Sequence, residues 1–166
     1  MNYLIGRKFT NAVPRTFASN KLVLITPIDR PIYFSFNESV SLAMKVKGDW
    51  VALADPDHVP AGKYASIALR KLGYWHELKS QIARASNVRA ALALVSRGEA
   101  RAGIVYLSDA MNHERVRIDA IFPSFSHPKI QYAAIDLTSS VESGLYLNFL
   151  SSQIVAGILK NQGFSP

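Results

Sequence analysis

The sequence predicts an α/β fold for this chain of 166 residues, and three observations support that prediction. Short continuous apolar runs, stopped by proline or polar residues, are typical of buried strands. The segments between them carry apolar residues at helical spacing. Glycine follows these helical segments at the position where many helices end. Strands that alternate with helices predict a mostly parallel sheet.

The strands follow from the apolar runs. Lys21–Pro27, Trp50–Ala54 and Ala102–Leu107 are continuous apolar segments of strand length, so we expect them to be buried. Two further segments, Val116–Phe122 and Lys129–Leu137, are also predicted to be strands. A sheet built from such strands binds ligands beyond the carboxyl ends of the strands, beside helix N-termini.

The helices follow from caps, spacing and glycine stops. A helix is expected from Pro60 to Leu72, because proline suits a first helical turn, and Gly73 would end it. Asn87 is expected to cap the next helix, which Gly98 ends. The remaining helical predictions are a short helix at Ser39–Lys45 capped by Asn37 or Ser39, two helices between Ser139 and Gln162 closed by Gly163, and the end of a helix within Met1–Phe9.

Composition excludes several classes of protein. The net charge of +7 comes from scattered basic residues that form no stripe interleaved with aromatic residues, which argues against nucleic-acid binding. The absence of cysteine excludes disulfides, thiolate metal sites and cysteine nucleophiles. No apolar stretch approaches the roughly 20 residues needed to span a bilayer, and the first residues do not have the pattern of a signal peptide.

Three places in the sequence are candidates for anion binding. Pro60-Ala61-Gly62 and Asn87-Val88 each open a predicted helix, where backbone N–H groups lack partners within the helix and favour an anion. Gly62 has no side chain that would hold a ligand away from the backbone. Tyr106 ends an apolar strand and could donate its hydroxyl hydrogen. The alternative is that both helix starts are ordinary and that Tyr106 is a core residue with a hydrated tip.

Titratable residues give weaker signals. Asp55 and Asp57 form a close carboxylate pair, but Asp-Pro and Asp-x-His favour loops, so we expect Asp55 to fix the turn locally. His58, His76, His113 and His127 show no metal-ligand spacing and are predicted to be surface or capping residues. No nucleophile elbow, dinucleotide fingerprint or phosphate-binding loop is present.

Taken together, several motifs resemble the periplasmic molybdate-binding proteins of ABC importers. The resemblance is carried by Ala52–Ala65, Leu69–Trp75, Asn87–Val95 and Gly103–Ala110, with support from Lys21–Pro27 and the Gly163-Phe164 ending. These segments occur in the family's order and spacing and cover nearly the whole chain.

The resemblance implies a type 2 periplasmic-binding-protein fold, in which two lobes clamp a tetrahedral oxyanion, molybdate or tungstate. It implies that neutral donors hold the anion: the backbone N–H of Ala61, the backbone N–H of Val88 and the hydroxyl of Tyr106. No residue would ligate a metal directly, since molybdenum is held as molybdate. The resemblance also implies a periplasmic, non-enzymatic protein without a cofactor, whose partner is the ABC permease of the inner membrane.

The chain departs from the family in one respect, because the serine-bearing loops that open the family's first lobe have no counterpart here. We therefore expect one complete lobe and a partial second lobe. Losing two donors would weaken binding by about 10²–10⁴-fold, and exposed apolar surface on the C-terminal helices would favour self-association. The expected division is residues 1–27 (remnant of lobe 1 and first hinge strand), 28–129 (lobe 2) and 130–166 (second hinge strand and helices of lobe 1).

Three alternatives remain open at this stage. The chain could be the small-ligand sensing domain of a regulator, although no DNA-binding helix-turn-helix is apparent. It could be a relic of the receptor that binds nothing. An enzyme using Asp55 and Asp57 would require a metal or a substrate at that turn.

Overall fold

The computed structural model describes residues 12–38 and 40–166, which divide into two compact units. The first comprises the described residues up to Asn20 together with Lys129–Pro166, and the second is Lys21–Pro128. Residues 21–27, which the sequence analysis assigns together with residues 1–20 to the remnant of lobe 1 and the first hinge strand, fall in the second unit. The identification of these units with the two lobes stays a prediction. The predicted helix end within Met1–Phe9 lies outside the described residues.

Within residues 12–38 and 40–166, seven strands form two sheets. The second unit has a five-stranded sheet in the order β4-β3-β5-β2-β6, and the first unit has a two-stranded sheet of β1 and β7. The strands are β1 (Arg15–Asn20), β2 (Leu22–Pro27), β3 (Val51–Ala54), β4 (Ile82–Ala85), β5 (Ala102–Tyr106), β6 (Val116–Ile121) and β7 (Ile130–Ala134).

The α/β class is confirmed, but the expectation of a mostly parallel sheet is wrong. β3 runs parallel to β4 and β5, whereas β2 runs antiparallel to both β5 and β6. β1 and β7 are also antiparallel. Parallel pairing needs a long crossover connection, and the two long helices of the second unit lie between β3 and β5 in the chain. These helices supply the crossovers between the mutually parallel strands β3, β4 and β5.

In the described part of the chain, seven helices accompany the strands, and two short 3₁₀ turns lie at Lys79–Gln81 and Ser124–Ser126. None of the helices in the described ranges is long and apolar enough to cross a membrane. The helices are α1 (Leu42–Val46), α2 (Pro60–Lys71), α3 (Trp75–Leu78), α4 (Val88–Ser96), α5 (Leu107–Ala110), α6 (Val141–Leu150) and α7 (Gln153–Asn161).

Most of the predicted helix ends are confirmed. α2 begins at Pro60, and Asn87 caps α4 by accepting the N–H of Ala90 at 2.9 Å. Gly73, Gly98 and Gly163 follow α2, α4 and α7 with φ of 83°, 73° and 82°.

The prediction for the first short helix is wrong at its start. α1 begins at Leu42, and its cap is Ser41, whose hydroxyl accepts the N–H of Met44 at 3.3 Å. Asn37 lies too far upstream for this role, and Ser39 lies outside the described residues. A serine directly before the first helical residue satisfies an otherwise unpaired N–H, which explains why the helix begins later than expected.

The core of the second unit packs α4 against the sheet. Val23 and Ile25 of β2, Ala52 of β3 and Val95 of α4 belong to one buried apolar cluster. β2 is buried along its whole length, as its continuous apolar sequence predicts for a central strand covered on both faces. This packing fixes α4, and with it the start of the helix at Val88, against the carboxyl ends of the strands.

Candidate functional site

The three predicted site residues follow three neighbouring strands of the sheet. Ala54 at the end of β3 is paired with Ala85 at the end of β4, and the N–H of Asp55 donates to the Ala85 carbonyl at 2.8 Å. On the other side of β3, Leu53 is paired with Ile104 of the parallel strand β5, which ends at Tyr106. Ala61 and Val88 therefore follow the carboxyl ends of β3 and β4, and Tyr106 is the last residue of the neighbouring strand β5.

The start of α2 carries backbone donors that no side chain caps. Its N-cap residue is Val59, which has no side-chain oxygen and makes no capping bond. Pro60 has no N–H, and Lys63 already donates to the Val59 carbonyl at 3.0 Å. The N–H groups of Ala61 and Gly62 lie between them, in the first turn, where the helix itself offers no acceptor. Both residues are buried, so this helix start is suited to an anionic ligand.

The start of α4 is partly capped. The side chain of Asn87 accepts from Ala90, and the backbone carbonyl of Asn87 accepts from Ala91 at 3.2 Å. Helix geometry gives the N–H groups of Val88 and Arg89 no acceptor within the helix. Val88 is half-buried and packs against the core cluster, which holds its backbone in place.

Tyr106 lies where β5 passes into α5. It is paired with Leu22 of β2, it occupies the N-cap position of α5, and it is half-buried. Leu107, the next residue, donates its N–H to the Lys21 carbonyl at 2.9 Å. The sheet therefore fixes the backbone of Tyr106, and the role of its hydroxyl stays a prediction.

Packing explains why residue 62 is glycine, and local sequence patterns did not reveal this explanation. A Cβ built at this position would lie 2.0 Å from the carbonyl oxygen of Ala54 and 2.5 Å from that of Asp55. Glycine is therefore required so that the first turn of α2 can approach the end of β3 closely. The need for glycine comes from the packing of the helix on the strand, independently of any ligand.

Asp55 fixes the loop that leads into α2, as predicted. Its Oδ1 accepts the N–H groups of Asp57 at 2.8 Å and His58 at 3.3 Å. The pKa of Asp55 is lowered, first by the hydrogen bond from the Asp57 backbone, then by that from His58 and by the nearby Arg84 charge, although partial burial opposes the shift. The carboxylate is therefore occupied with the turn, which argues against a catalytic pair with Asp57.

The side chain of Arg84 links the end of β4 to the loop between β3 and α2. Arg84 of β4 lies with its Nη1 2.6 Å from Asp57 Oδ2 and 3.8 Å from Asp55 Oδ2. Arg84 was not singled out from the sequence, because an arginine in a four-residue edge strand gives no signal of its partner 27 residues earlier. The close carboxylate pair Asp55 and Asp57 was the only sequence feature that pointed to a nearby cation, because a positive charge stabilises two neighbouring carboxylates.

A second carboxylate lies near the start of α4. Burial raises the pKa of Asp109 in α5, and the positive charge of Arg89 partly offsets this.

Among residues 12–38 and 40–166, no group of three or more His, Asp or Glu side chains is placed to hold a metal ion. His58 and His76 are exposed, and His113 accepts the N–H of Arg115 at 3.3 Å, which agrees with surface and capping roles.

Comparison with known proteins places the chain in a family. The sequence matches the family described as bacterial extracellular solute-binding protein over residues 1–165. The chain belongs to this family.

Relatives of the chain include two proteins named as molybdate-binding. The chain is 36% identical over 171 residues to the molybdate-binding protein ModA of Escherichia coli, and 36% identical over 176 residues to ModA of Haemophilus influenzae. Each match covers 99% of this chain and 66% of the relative, so the chain spans about two thirds of their length.

A solved structure agrees with this relationship. The substrate-binding domain assigned to a molybdenum ABC transporter from Clostridium difficile superposes with a TM-score of 0.80 at 28% identity, covering 99% of this chain and 72% of that domain. The predicted type 2 periplasmic-binding-protein fold is thereby confirmed, with a partial lobe consistent with this coverage.

Proposed function

We propose that this chain binds a tetrahedral oxyanion, molybdate or tungstate, as the solute-binding component of an ABC importer. One observation carries the proposal: the uncapped first turn of α2 and the N-terminus of α4 follow two hydrogen-bonded neighbouring strands. Ala54 and Ala85, at the ends of these strands, are paired in register. The names of the relatives support molybdate as the class of ligand.

The proposed donors are the N–H groups of Ala61 and Val88 and the hydroxyl of Tyr106. A hydrogen bond to a charged group contributes roughly 1.5–3 kcal/mol, and the positive end of each helix dipole adds a favourable field. Because the donors are fixed by backbone and sheet, they select an anion by its size. A flexible cationic side chain would instead adjust to a smaller anion such as sulfate.

The proposal includes a location and partners. The chain would act in the periplasm, require no cofactor, and deliver its anion to an ABC permease in the inner membrane. Apolar side chains exposed on α6 and α7 support self-association of the chain. The relatives are named as binding proteins, which favours a receptor over an enzyme, and no observation favours the sensing domain of a regulator.

Isothermal titration calorimetry tests this function directly. The chain is titrated with molybdate, tungstate and sulfate at equal ionic strength. We expect saturable binding of molybdate and tungstate and at least tenfold weaker binding of sulfate. Tyr106→Phe removes one donor and is expected to weaken molybdate binding by about 10- to 100-fold. Equal binding of all three anions would refute the selectivity, and absence of any binding would favour the relic that binds nothing.

A further inference from the structure

An ion pair joins the loop between β3 and α2 to the strand β4 that leads into α4. Asp57 lies four residues before Ala61, and Arg84 lies four residues before Val88. The guanidinium Nη1 of Arg84 lies 2.6 Å from Asp57 Oδ2, and the same nitrogen lies 3.8 Å from Asp55 Oδ2. This contact links side chains that are 27 residues apart in the chain, across the β3 and β4 edge.

The backbone contact between these loops does not by itself fix their spacing. The N–H of Asp55 donates to the Ala85 carbonyl, but four residues lie between Asp55 and Pro60, where α2 begins. Asp55 closes the first part of that loop by accepting from Asp57 and His58. The turn that presents Ala61 is therefore anchored at Asp55 and Asp57, and Arg84 contacts both anchoring carboxylates.

The same contact neutralises the cation. Arg84 is half-exposed and lies beside two carboxylates. These carboxylates therefore balance its positive charge in the free chain, without a bound anion. An exposed guanidinium without such partners could turn toward a bound oxyanion of any size, because its side chain is long and flexible.

We propose that Arg84 is a positioning residue that ties the end of β4, four residues before Val88, to the β3–α2 turn and thereby sets the discrimination between large and small tetrahedral oxyanions. This inference rests on the proposed function. Arg84 acts through Asp57 and Asp55 on the spacing of the Ala61 and Val88 N–H groups and does not contact the anion. Without the ion pair between Arg84 and the two carboxylates, here called the tether, the two turns can move together around a smaller anion or move apart. The preference for molybdate over sulfate should therefore fall more than the affinity for molybdate.

A double-mutant cycle tests the tether. Arg84→Met, Asp57→Asn and the double variant are titrated with molybdate and sulfate. We expect each single variant to weaken molybdate binding by about two- to fivefold, the range of an exposed ion pair, and to lower the preference for molybdate over sulfate. The double variant should be no worse than Arg84→Met, because that substitution already removes the contact that Asp57→Asn loses.

The matched control is an ion pair away from this edge of the sheet. Arg97 Nε lies 2.6 Å from Glu99 Oε1 with similar exposure, beyond the C-terminal end of α4. Arg97→Met should leave both anion affinities unchanged. Additive losses in the cycle, or a selectivity change in Arg97→Met equal to that in Arg84→Met, would overturn the proposal.

A readout without ligand separates this inference from the proposed function. Amide hydrogen exchange is measured on the free chain, with and without Arg84→Met. We expect faster exchange at residues 57–63 and 86–91 together, and no change there in Arg97→Met. Failure of the wild-type chain to bind any oxyanion would refute the proposed function, whereas unchanged exchange at both turns would refute the tether.

Discussion

Gly62 is the residue on which the contact between α2 and the end of β3 depends. The nearest backbone atom to a Cβ at this position is the Ala54 carbonyl oxygen at 2.0 Å. Because that neighbour is backbone, relief requires α2 to move away from the strand. Such a movement would also displace the N–H of Ala61, the residue before it, so stability and binding depend on the same glycine.

Gly62→Ala is therefore expected to lower the free energy of unfolding by about 1–3 kcal/mol or more, the usual cost of overpacking. Gly144 in α6 and Gly157 in α7 have nothing within 4 Å of a built Cβ. Alanine at these two positions should raise stability by roughly 0.5–1 kcal/mol, because glycine is unfavourable inside a helix. Urea unfolding followed by circular dichroism measures all three changes. A neutral Gly62→Ala would contradict the close approach.

Asp55 makes stability depend on pH in the acid range. Hydrogen bonds from Asp57 and His58 lower its pKa in the folded chain. A lowered folded-state pKa adds stability above the unfolded-state value, about 3.9, and this stability is lost as the pH falls through the folded value. Asp55→Asn keeps an accepting oxygen for the turn but cannot titrate.

We expect the stability advantage of the wild-type chain over Asp55→Asn to be constant between pH 5 and 6 and to shrink as the pH falls toward 3. Urea unfolding of both proteins at each pH measures the difference. A difference that stays constant, or that grows on acidification, would show that Asp55 is not stabilised as an anion by the turn.

At the scale of elements, the sequence predicted those parts whose structure depends on local signals. The strands β3 and β5 and the helices α2 and α4 were predicted because buried strands are continuous apolar runs and helix ends carry Pro60, Asn87 and glycine. β1 and β4 were missed. β4 is a four-residue, largely half-exposed strand whose pairing with β3 supplies its stability, and no local pattern indicates such a partner.

The candidate site was predicted to a similar extent and for the same reason. The helix starts at Ala61 and Val88 have local signatures, and the strand end at Tyr106 follows from an apolar run. Arg84 and the packing role of Gly62 depend on contacts between elements, with the Asp57 carboxylate and the Ala54 carbonyl. These contacts join residues that are 8 and 27 positions apart in the chain, and the spacing of residues in the sequence does not indicate such pairs.

The uncapped start of α2 predicts a conflict between stability and binding. Val59 is the N-cap residue with extended backbone, φ −99° and ψ 131°, the conformation in which threonine accepts an N–H of the first turn. Val59→Thr keeps the side-chain shape and adds that acceptor. It should stabilise the free chain by about 0.5–1 kcal/mol and weaken molybdate binding, because the hydroxyl competes for the donors at Ala61 and Gly62.

Thermal unfolding and calorimetric titration measure the two effects of Val59→Thr. Val40→Thr serves as the control, since Val40 lies before the Ser41 cap of α1 and gains no capping role. If Val59→Thr stabilised the chain and also left the affinity unchanged, the first-turn N–H groups of α2 would not be oxyanion donors.

At the scale of the whole molecule, the apolar exposure is concentrated on the two C-terminal helices of the first unit. α6 and α7 together present six large apolar side chains that are between 50% and 75% exposed. Single exposed apolar residues are ordinary, but a group of this size on consecutive helices is characteristic of an interaction surface. The residues are Val141, Leu145, Tyr146, Phe149, Ile154 and Ile158.

We expect the chain to self-associate through this surface in a concentration-dependent way. Sedimentation velocity between about 1 and 100 µM measures the association. Leu145→Lys with Ile154→Lys should shift the distribution toward monomer, because burying two lysines is unfavourable. Met44→Lys, at an equally exposed position on α1, should leave it unchanged. A wild-type chain that is monomeric throughout this range contradicts the expectation.

The backbone N–H of Val88 allows the proposed oxyanion contact to be removed with little other change. Val88 is the first residue of α4, and Asn87 before it has extended backbone with φ −160° and ψ 175°, so proline is compatible with this helix start. Val141 has the same place in α6, after the Ser140 cap. Val88→Pro and Val141→Pro are therefore a matched pair that each remove one N–H group.

Calorimetric titration of this pair with molybdate decides whether backbone donors at the sheet edge hold the anion. We expect Val88→Pro to weaken molybdate binding by about 10- to 100-fold, while Val141→Pro binds molybdate as the wild-type chain does. Equal affinities for Val88→Pro and wild type, with both proteins folded, would show that the anion is not held by the start of α4.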